Sequence, residues 1–318
     1  MTARLPAGVG RLRELRILLV VVVFGAAMGT YNSAFLATDT LNTILLYMAG
    51  YAIMACGMTV LLVSGGFDLS VGSVSALSAM VAAVLMRQAI HIPWPVALAA
   101  GLATGAAVGL VNGLAVAKLG INPFITTLGT MLLARGLTYI VSGGKEQSGF
   151  PDQFCALGQG RIAGVQMPIV ISLALVGVAD LLLRKNRLFR QNYYIGGNEQ
   201  AAWLSGIAVN RIKLFNYCLS GTLAAVAGLL FAARLNSAMP NSGDGDELKV
   251  ITAVIVGGAS LAGGKGTVFG AFLGCLLLAM IRPAISFLPI MDHWEKVVVG
   301  AILLVAVLMD RIGRRSER

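Results

Sequence analysis

The feature that most constrains this chain is a succession of apolar runs, most of them near the length a helix needs to cross the hydrocarbon core of a bilayer, about 20 residues at about 1.5 Å each. Ten candidates stand at roughly 15–37, 41–63, 71–87, 95–117, 123–142, 167–184, 214–234, 248–262, 266–282 and 294–310. Helices apolar on every face have no place in a water-soluble fold of this size. The predicted fold class is an all-α membrane protein of about ten transmembrane helices, with residues 1–318 as a single transmembrane domain. Long polar connections occur only at 143–166, 185–213 and 235–247, and none has room for a soluble domain.

Charge then sets the orientation. Only 12% of the 318 residues are charged and 57% are hydrophobic, against about 25% charged in soluble domains. The formal net charge of +10 is that of a nucleic-acid binder, but such proteins carry their charge on solvated faces, so nucleic acid is excluded as a partner. With the N-terminus inside, 16 of the 24 Lys and Arg fall on the cytoplasmic side, among them Arg4, Arg16, Arg184, Lys185, Arg187 and Arg190. The acidic residues then leave the outer side neutral and the inner side with the whole excess. This bias predicts an N-in, C-in topology, with 1–14 and 185–213 in the cytoplasm. The first apolar run follows Arg16 without a small-residue cleavage site and reads as a retained span. Cys56, Cys155, Cys218 and Cys275 lack metal-ligand spacing and read as core residues.

Glycine breaks the pattern in two places. Residues 65–73 read GGFDLSVGS and 257–265 read GGASLAGGK, which share Gly-Gly-x-x-Leu-x-x-Gly with Gly65, Gly66 and Gly72 opposite Gly257, Gly258 and Gly264. This reads as a degenerate repeat between the halves. Paired Gly-broken segments point to a transport pathway, although small residues also serve plain helix packing, the reading given to Gly101, Gly105 and Gly109. Asp68 lies within the first break, where an ionisable residue is costly. It can cap the helix that starts near Leu69; contact with a polar solute and proton coupling are the alternatives. Asn122 and Pro123 form a second helix opening, as cap and first helical residue. Thr126, Thr127 and Thr130 follow near one face, able to bond a sugar or, as is commoner, the helix backbone.

Several chemistries lack their parts. The stretch 258–266 fails as a phosphate loop, because the required first glycine falls on Ala259 and Gly266 follows Lys265 where Ser or Thr is needed. His91 and His293 both fall at the outer surface, and no carboxylate pair or metal set appears, so neither catalysis nor a metal site is expected. In the inner loop, Asn198 can cap a short helix through Trp203 and Leu204 that ends at Gly206. With Ala201, Ala202 and Ile207 it is too apolar to stay free in the cytoplasm, and either lies on the membrane or enters a groove of another protein.

Together SGGFDLSVGS (64–73), NPFITTLGT (122–130), GGNEQAAWLSGI (196–207) and AVIVGGASLAGGKGTVFGAFLG (253–274), in that order, resemble the permease subunit of ribose-type ABC sugar importers, over about residues 40 to 310. The resemblance implies two permease copies, or one with a paralogue, in the inner membrane. It also implies a separate cytoplasmic ATPase that holds ATP and Mg, no cofactor in this chain, and a periplasmic or lipid-anchored sugar-binding protein. By that likeness Gly197, Asn198, Glu199, Ala201, Ala202 and Gly206 form the coupling segment that meets the ATPase. Gly65, Gly66, Asp68, Ser70, Asn122, Pro123, Thr126, Gly257, Gly258, Gly263 and Gly264 shape the pathway, and Asp244, Asp246 and Glu247 meet the binding protein. The chain departs from the family pattern at Lys249, where Glu-Leu-Asp usually stands, and at Arg282-Pro283, which replaces a small polar pair and leaves the end of that span open. An ion-coupled sugar transporter, with Asp68 as the coupling carboxylate, is the alternative.

Overall fold

The computed structural model describes residues 7–87 and 92–315, with side chains from 14 to 312. Arg4 and His91 lie outside the described residues. The chain forms α1 (Ala7–Tyr31), a 3-10 turn (Ser33–Leu36), α2 (Thr38–Val63), α3 (Val71–Met86), α4 (Trp94–Ala117) and α5 (Pro123–Ser142). There follow α6 (Asp152–Gln159), α7 (Met167–Lys185), α8 (Arg187–Gly197), α9 (Glu199–Leu204), α10 (Val209–Leu235), α11 (Asp246–Val256), α12 (Val268–Phe287) and α13 (Trp294–Arg315). Two-residue strands at Gln147–Ser148 and Ser237–Ala238 pair antiparallel, as do Arg161–Ile162 and Val165–Gln166.

Each predicted apolar run contains a helix, though not each along its full length. Among the described residues, seven helices (α1, α2, α4, α5, α7, α10 and α12) are long and apolar enough to cross a membrane. The run at 71–87 is the 16-residue α3 and the run at 248–262 is cut to the 11-residue α11, which spans only about 16 Å, half a bilayer core. The run at 294–310 forms α13, whose charged ends leave it short of an uninterrupted apolar stretch. In α12 the helix passes through Pro283 and ends at Phe287, beyond the predicted stop at 282.

Burial sorts the helices. The most apolar stretches of α2 and α12 are 78% and 72% buried, against 17% for α5 and 22% for α4, so α2 and α12 form the centre and α4 and α5 the flank. The longest interface joins α10 to α4, and small residues make it possible. A side chain at Gly105 or Gly109 would run into the Gly221 or Tyr217 backbone of α10, and one at Gly101 into the Ser78 backbone of α3, which is the close packing expected of that stripe.

Both described ends of the chain reach the same end of the molecule. Glu14 accepts hydrogen bonds from Arg184 (2.6 Å) and from Thr267 (2.8 Å), while Asp310 accepts one from Ser260 (3.3 Å). The connection 257–267, between α11 and α12, therefore lies where α1 begins and α13 finishes.

Candidate functional site

The two glycine breaks end their helices by the same device. At the end of α2 the Gly65 N–H donates to Leu62 O (3.0 Å) and the Gly66 N–H to Leu61 O (2.9 Å), with Gly65 at φ +83°. At the end of α11 the Gly258 N–H donates to Ile255 O (2.9 Å) and the Ala259 N–H to Val254 O (3.1 Å), with Gly258 at φ +92°. Both are Schellman closures, which need a left-handed residue that glycine adopts without steric cost. The structurally matching glycines are thus Gly65 and Gly258. The gapless sequence match, which sets Gly65 against Gly257, is one residue out of step with the backbone, since Gly257 is still helical at φ −61°.

These breaks touch. The Gly264 N–H donates to Val63 O (2.9 Å), the last residue of α2. Gly196, near the end of α8, fits between that carbonyl and the Gly264 amide so closely that a Cβ would overlap both, and Gly263 (φ +86°) also abuts Gly196. Side chains reinforce the junction. Asn216 Nδ2 of α10 donates to Asn192 Oδ1 of α8 (2.7 Å) and lies 3.2 Å from Ser64 Oγ, while Tyr193 Oη donates to Gly266 O (2.7 Å). Burial pushes the Tyr193 phenol up to about 12, so it remains a donor at neutral pH. Gly196, Asn192, Tyr193 and Asn216 escape sequence reasoning because their roles come from segments remote in the chain. The only local hint is the double glycine at 196–197.

Asp68 is sealed inside. Its Oδ1 accepts the Ser70 N–H (2.8 Å) and the Ser70 hydroxyl (2.5 Å), and its Oδ2 accepts the Ser220 hydroxyl (3.1 Å). Asn112 Nδ2 donates to Ser70 Oγ (3.0 Å) and Thr130 Oγ1 to Asn112 Oδ1 (2.8 Å), so this cluster ties the break before α3 to α4, α5 and α10. Each carboxylate oxygen is satisfied, as a buried charge without a cation requires. Of the expected pathway residues, Asp68 and Ser70 are fully buried. Asn122 is exposed at the opening of α5, where its Oδ1 accepts the Phe124 N–H (2.8 Å) ahead of Pro123. Phe124 reaches back to Phe67, ring centroids 6.2 Å apart, which brings that opening to the first break. Thr127 and Thr130 bond their own helix backbone, whereas the Thr126 hydroxyl is buried with no partner.

The short helix α9, between α8 and α10, forms as its caps dictate. Asn198 Oδ1 accepts the Ala201 N–H (2.9 Å), and Gly206 (φ +81°) closes the end. Glu199 pairs with Lys213 of α10 (2.6 Å). Ala202 turns inward, 4% exposed, against Ile195 and Val209. The apolar surface offered outward is instead Trp203 and Leu204, 66% and 73% exposed, beside Ala201. Gly197 is exposed, with open space where a Cβ would go.

At the far end, Asp244 is exposed. Asp246 lies 3.9 Å from Lys249, and burial raises its carboxyl against the opposing pull of that lysine. Glu247 is buried, its carboxylate close to Gly72. Among the described residues no group of His, Cys, Asp and Glu could hold a metal ion.

A family model described as branched-chain amino acid transport system / permease component matches residues 40–307. The chain is 42% identical over 303 residues to the ribose import permease protein of Escherichia coli (strain K12), covering 94% of each. It is 39% identical over 302 residues to the L-arabinose transport system permease protein of the same organism, covering 95% of this chain and 92% of the other. With the D-allose transport system permease protein the identity is 34% over 294 residues, covering 92% and 89%.

Proposed function

The chain belongs to the family of permease components of ABC sugar importers, and from that premise we propose that it carries a monosaccharide across a bacterial inner membrane by alternating access driven by a separate ATPase. Members of this family are transport subunits and not themselves enzymes. Two permease copies, or this chain with a paralogue, enclose the pathway. A periplasmic or lipid-anchored binding protein delivers the sugar, and ATP and Mg are handled by the cytoplasmic partner.

The observation that carries this reading is the continuity from α9 to the glycine breaks. Trp203 and Leu204 stand out as an apolar knob fit for a groove on the ATPase, and membrane lipid is the competing occupant. α9 follows directly on α8, which is pinned to the end of α2 and to the connection before α12 by Gly196 and Tyr193, and to α10 by Asn192. A shift of the knob is passed to both breaks because packed and hydrogen-bonded elements move as bodies. Free energy enters only through the different contacts that the ATPase makes in its two states. The complete set of hydrogen bonds on Asp68 favours a structural role over ion coupling.

The test is reconstitution of the chain with its ATPase and binding protein in proteoliposomes. ATP-driven sugar uptake is expected and should persist when ion gradients are collapsed. Trp203→Glu together with Leu204→Glu should abolish uptake with normal insertion. Full uptake by that double variant would refute the assignment.

A further inference from the structure

The end of the molecule remote from α8 holds a cavity of about 260 Å³ within a single chain. Its walls are the first half of α2, with Tyr47 and Tyr51, the last turns of α10 with Arg234, and the connection 237–245 with Asp244. Ser75, Ala76 and Ala79 of α3, Asp246 and Lys249 of α11, and Arg282 of α12 also line it. Arg135 of α5 fixes the connection by donating to Pro240 O (2.8 Å) and Ser242 O (2.7 Å), so that wall is held in place before anything binds. The volume equals that of about nine waters, enough for one small ring solute.

The lining groups differ in how far they are already committed. Lys249 is neutralised by Glu295 (2.7 Å) and also lies 3.3 Å from Tyr51 Oη. Arg282 lies 4.0 Å from the same Glu295. Arg234, with its guanidinium carbon 5.9 Å from the Tyr47 ring centroid, has no carboxylate within ion-pair distance among the described residues, and neither does Asp244 have a cation. The cavity thus presents a fork of donors without a carboxylate partner, an acceptor without a cation partner, and two tyrosines whose rings already carry cations, Arg234 (5.9 Å) and Arg282 (5.5 Å) at Tyr47 and Lys249 (5.6 Å) at Tyr51. A neutral polyhydroxylated ring matches the donor and the acceptor: its hydroxyls accept from guanidinium and donate to carboxylate, between the two tyrosine side chains. Carboxylates and cations share the lining, so a charged solute would meet repulsion from one of them.

Building on the importer reading, we infer that this cavity is a holding station for one neutral monosaccharide in each permease subunit, gripped by Arg234 and Asp244 against Tyr47 and Tyr51. Gly50 supplies a clean obstruction, because it lines the cavity and a Cβ there meets nothing within 4 Å.

The purified full chain in lipid nanodiscs, without ATPase or binding protein, is titrated with labelled D-ribose, L-arabinose and D-allose, and with D-galacturonate as an anionic comparison. Saturable binding of at least one neutral sugar is expected. Arg234→Gln and Asp244→Asn should each weaken it about tenfold or more, the scale of one lost charge-assisted hydrogen bond, and Gly50→Phe should abolish it. Absence of saturable binding to the wild-type chain overturns the inference, as does undiminished binding by Gly50→Phe or a preference for galacturonate. Should Gly50→Phe not fold, unchanged affinity in the other two variants overturns it equally. In the assembled importer the two readings separate. No uptake with the wild-type chain refutes the importer assignment, whereas uptake unaffected by a folded Gly50→Phe refutes the station alone.

Discussion

Gly264 donates its backbone N–H to the carbonyl of Val63 at 2.9 Å, joining the end of α2 to the connection that precedes α12. Gly196 of α8 is pressed against both groups. One backbone contact therefore gathers the two helix breaks and α8 at a single point.

A methyl at that point has nowhere to go. Gly196→Ala should destabilise the protein by about 1–3 kcal/mol, the usual cost of overpacking, and depress uptake. Gly197→Ala, one residue on and facing open space, should be nearly neutral. Thermal melts of the two variants in the same detergent check this, and equal melting temperatures would count against the junction.

The inward turn of Ala202 reverses what a coupling variant should look like. Ala202→Asp buries a charge against Ile195 and Val209 and should lower the yield of folded protein. Trp203→Ala should leave yield and melting temperature unchanged but reduce co-purification of the ATPase. Comparing folded yield and ATPase retention separates a packing residue from an interface residue.

Asp68 offers a third case. Asp68→Ala leaves the hydroxyls of Ser70 and Ser220 without their acceptor and should cost about 1–3 kcal/mol. Uptake by the wild-type transporter should meanwhile be insensitive to a protonophore at constant ATP. Uptake that collapses with the proton gradient would revive the coupling role for this carboxylate.

Alkaline pH probes the α8 anchor. The Tyr193 phenol, pushed up from 10.0 to about 12 by burial, loses its proton less readily folded than unfolded. Its contribution to stability is complete below pH 10 and is lost as pH rises from 10 towards 12. Over that window Tyr193→Phe should show a shallower fall in melting temperature than wild type. Parallel curves would mean that the phenol is not held as a donor to Gly266.

Much of this was legible locally. Asn122 caps α5, Asn198 caps α9 and Gly206 ends it as expected, because caps and left-handed closures are settled by hydrogen bonds among neighbouring residues. Apolar runs likewise predicted every long helix. Hydropathy did not mark where α11 ends, since it continues through a glycine break and so joined α11 to the connection after it.

By itself the sequence determined the helices, their caps, their apolar exteriors and the family, all properties of short segments or of their order along the chain. Only the tertiary structure decided that Gly196 and not Gly197 is the tight glycine, that Ala202 points inward while Trp203 and Leu204 point out, and that Asp68 is enclosed by Ser70 and Ser220. The reason is physical: these properties arise from packing and hydrogen bonds between α2, α8, α10 and the connection before α12, and no local pattern records which distant surface a side chain will meet.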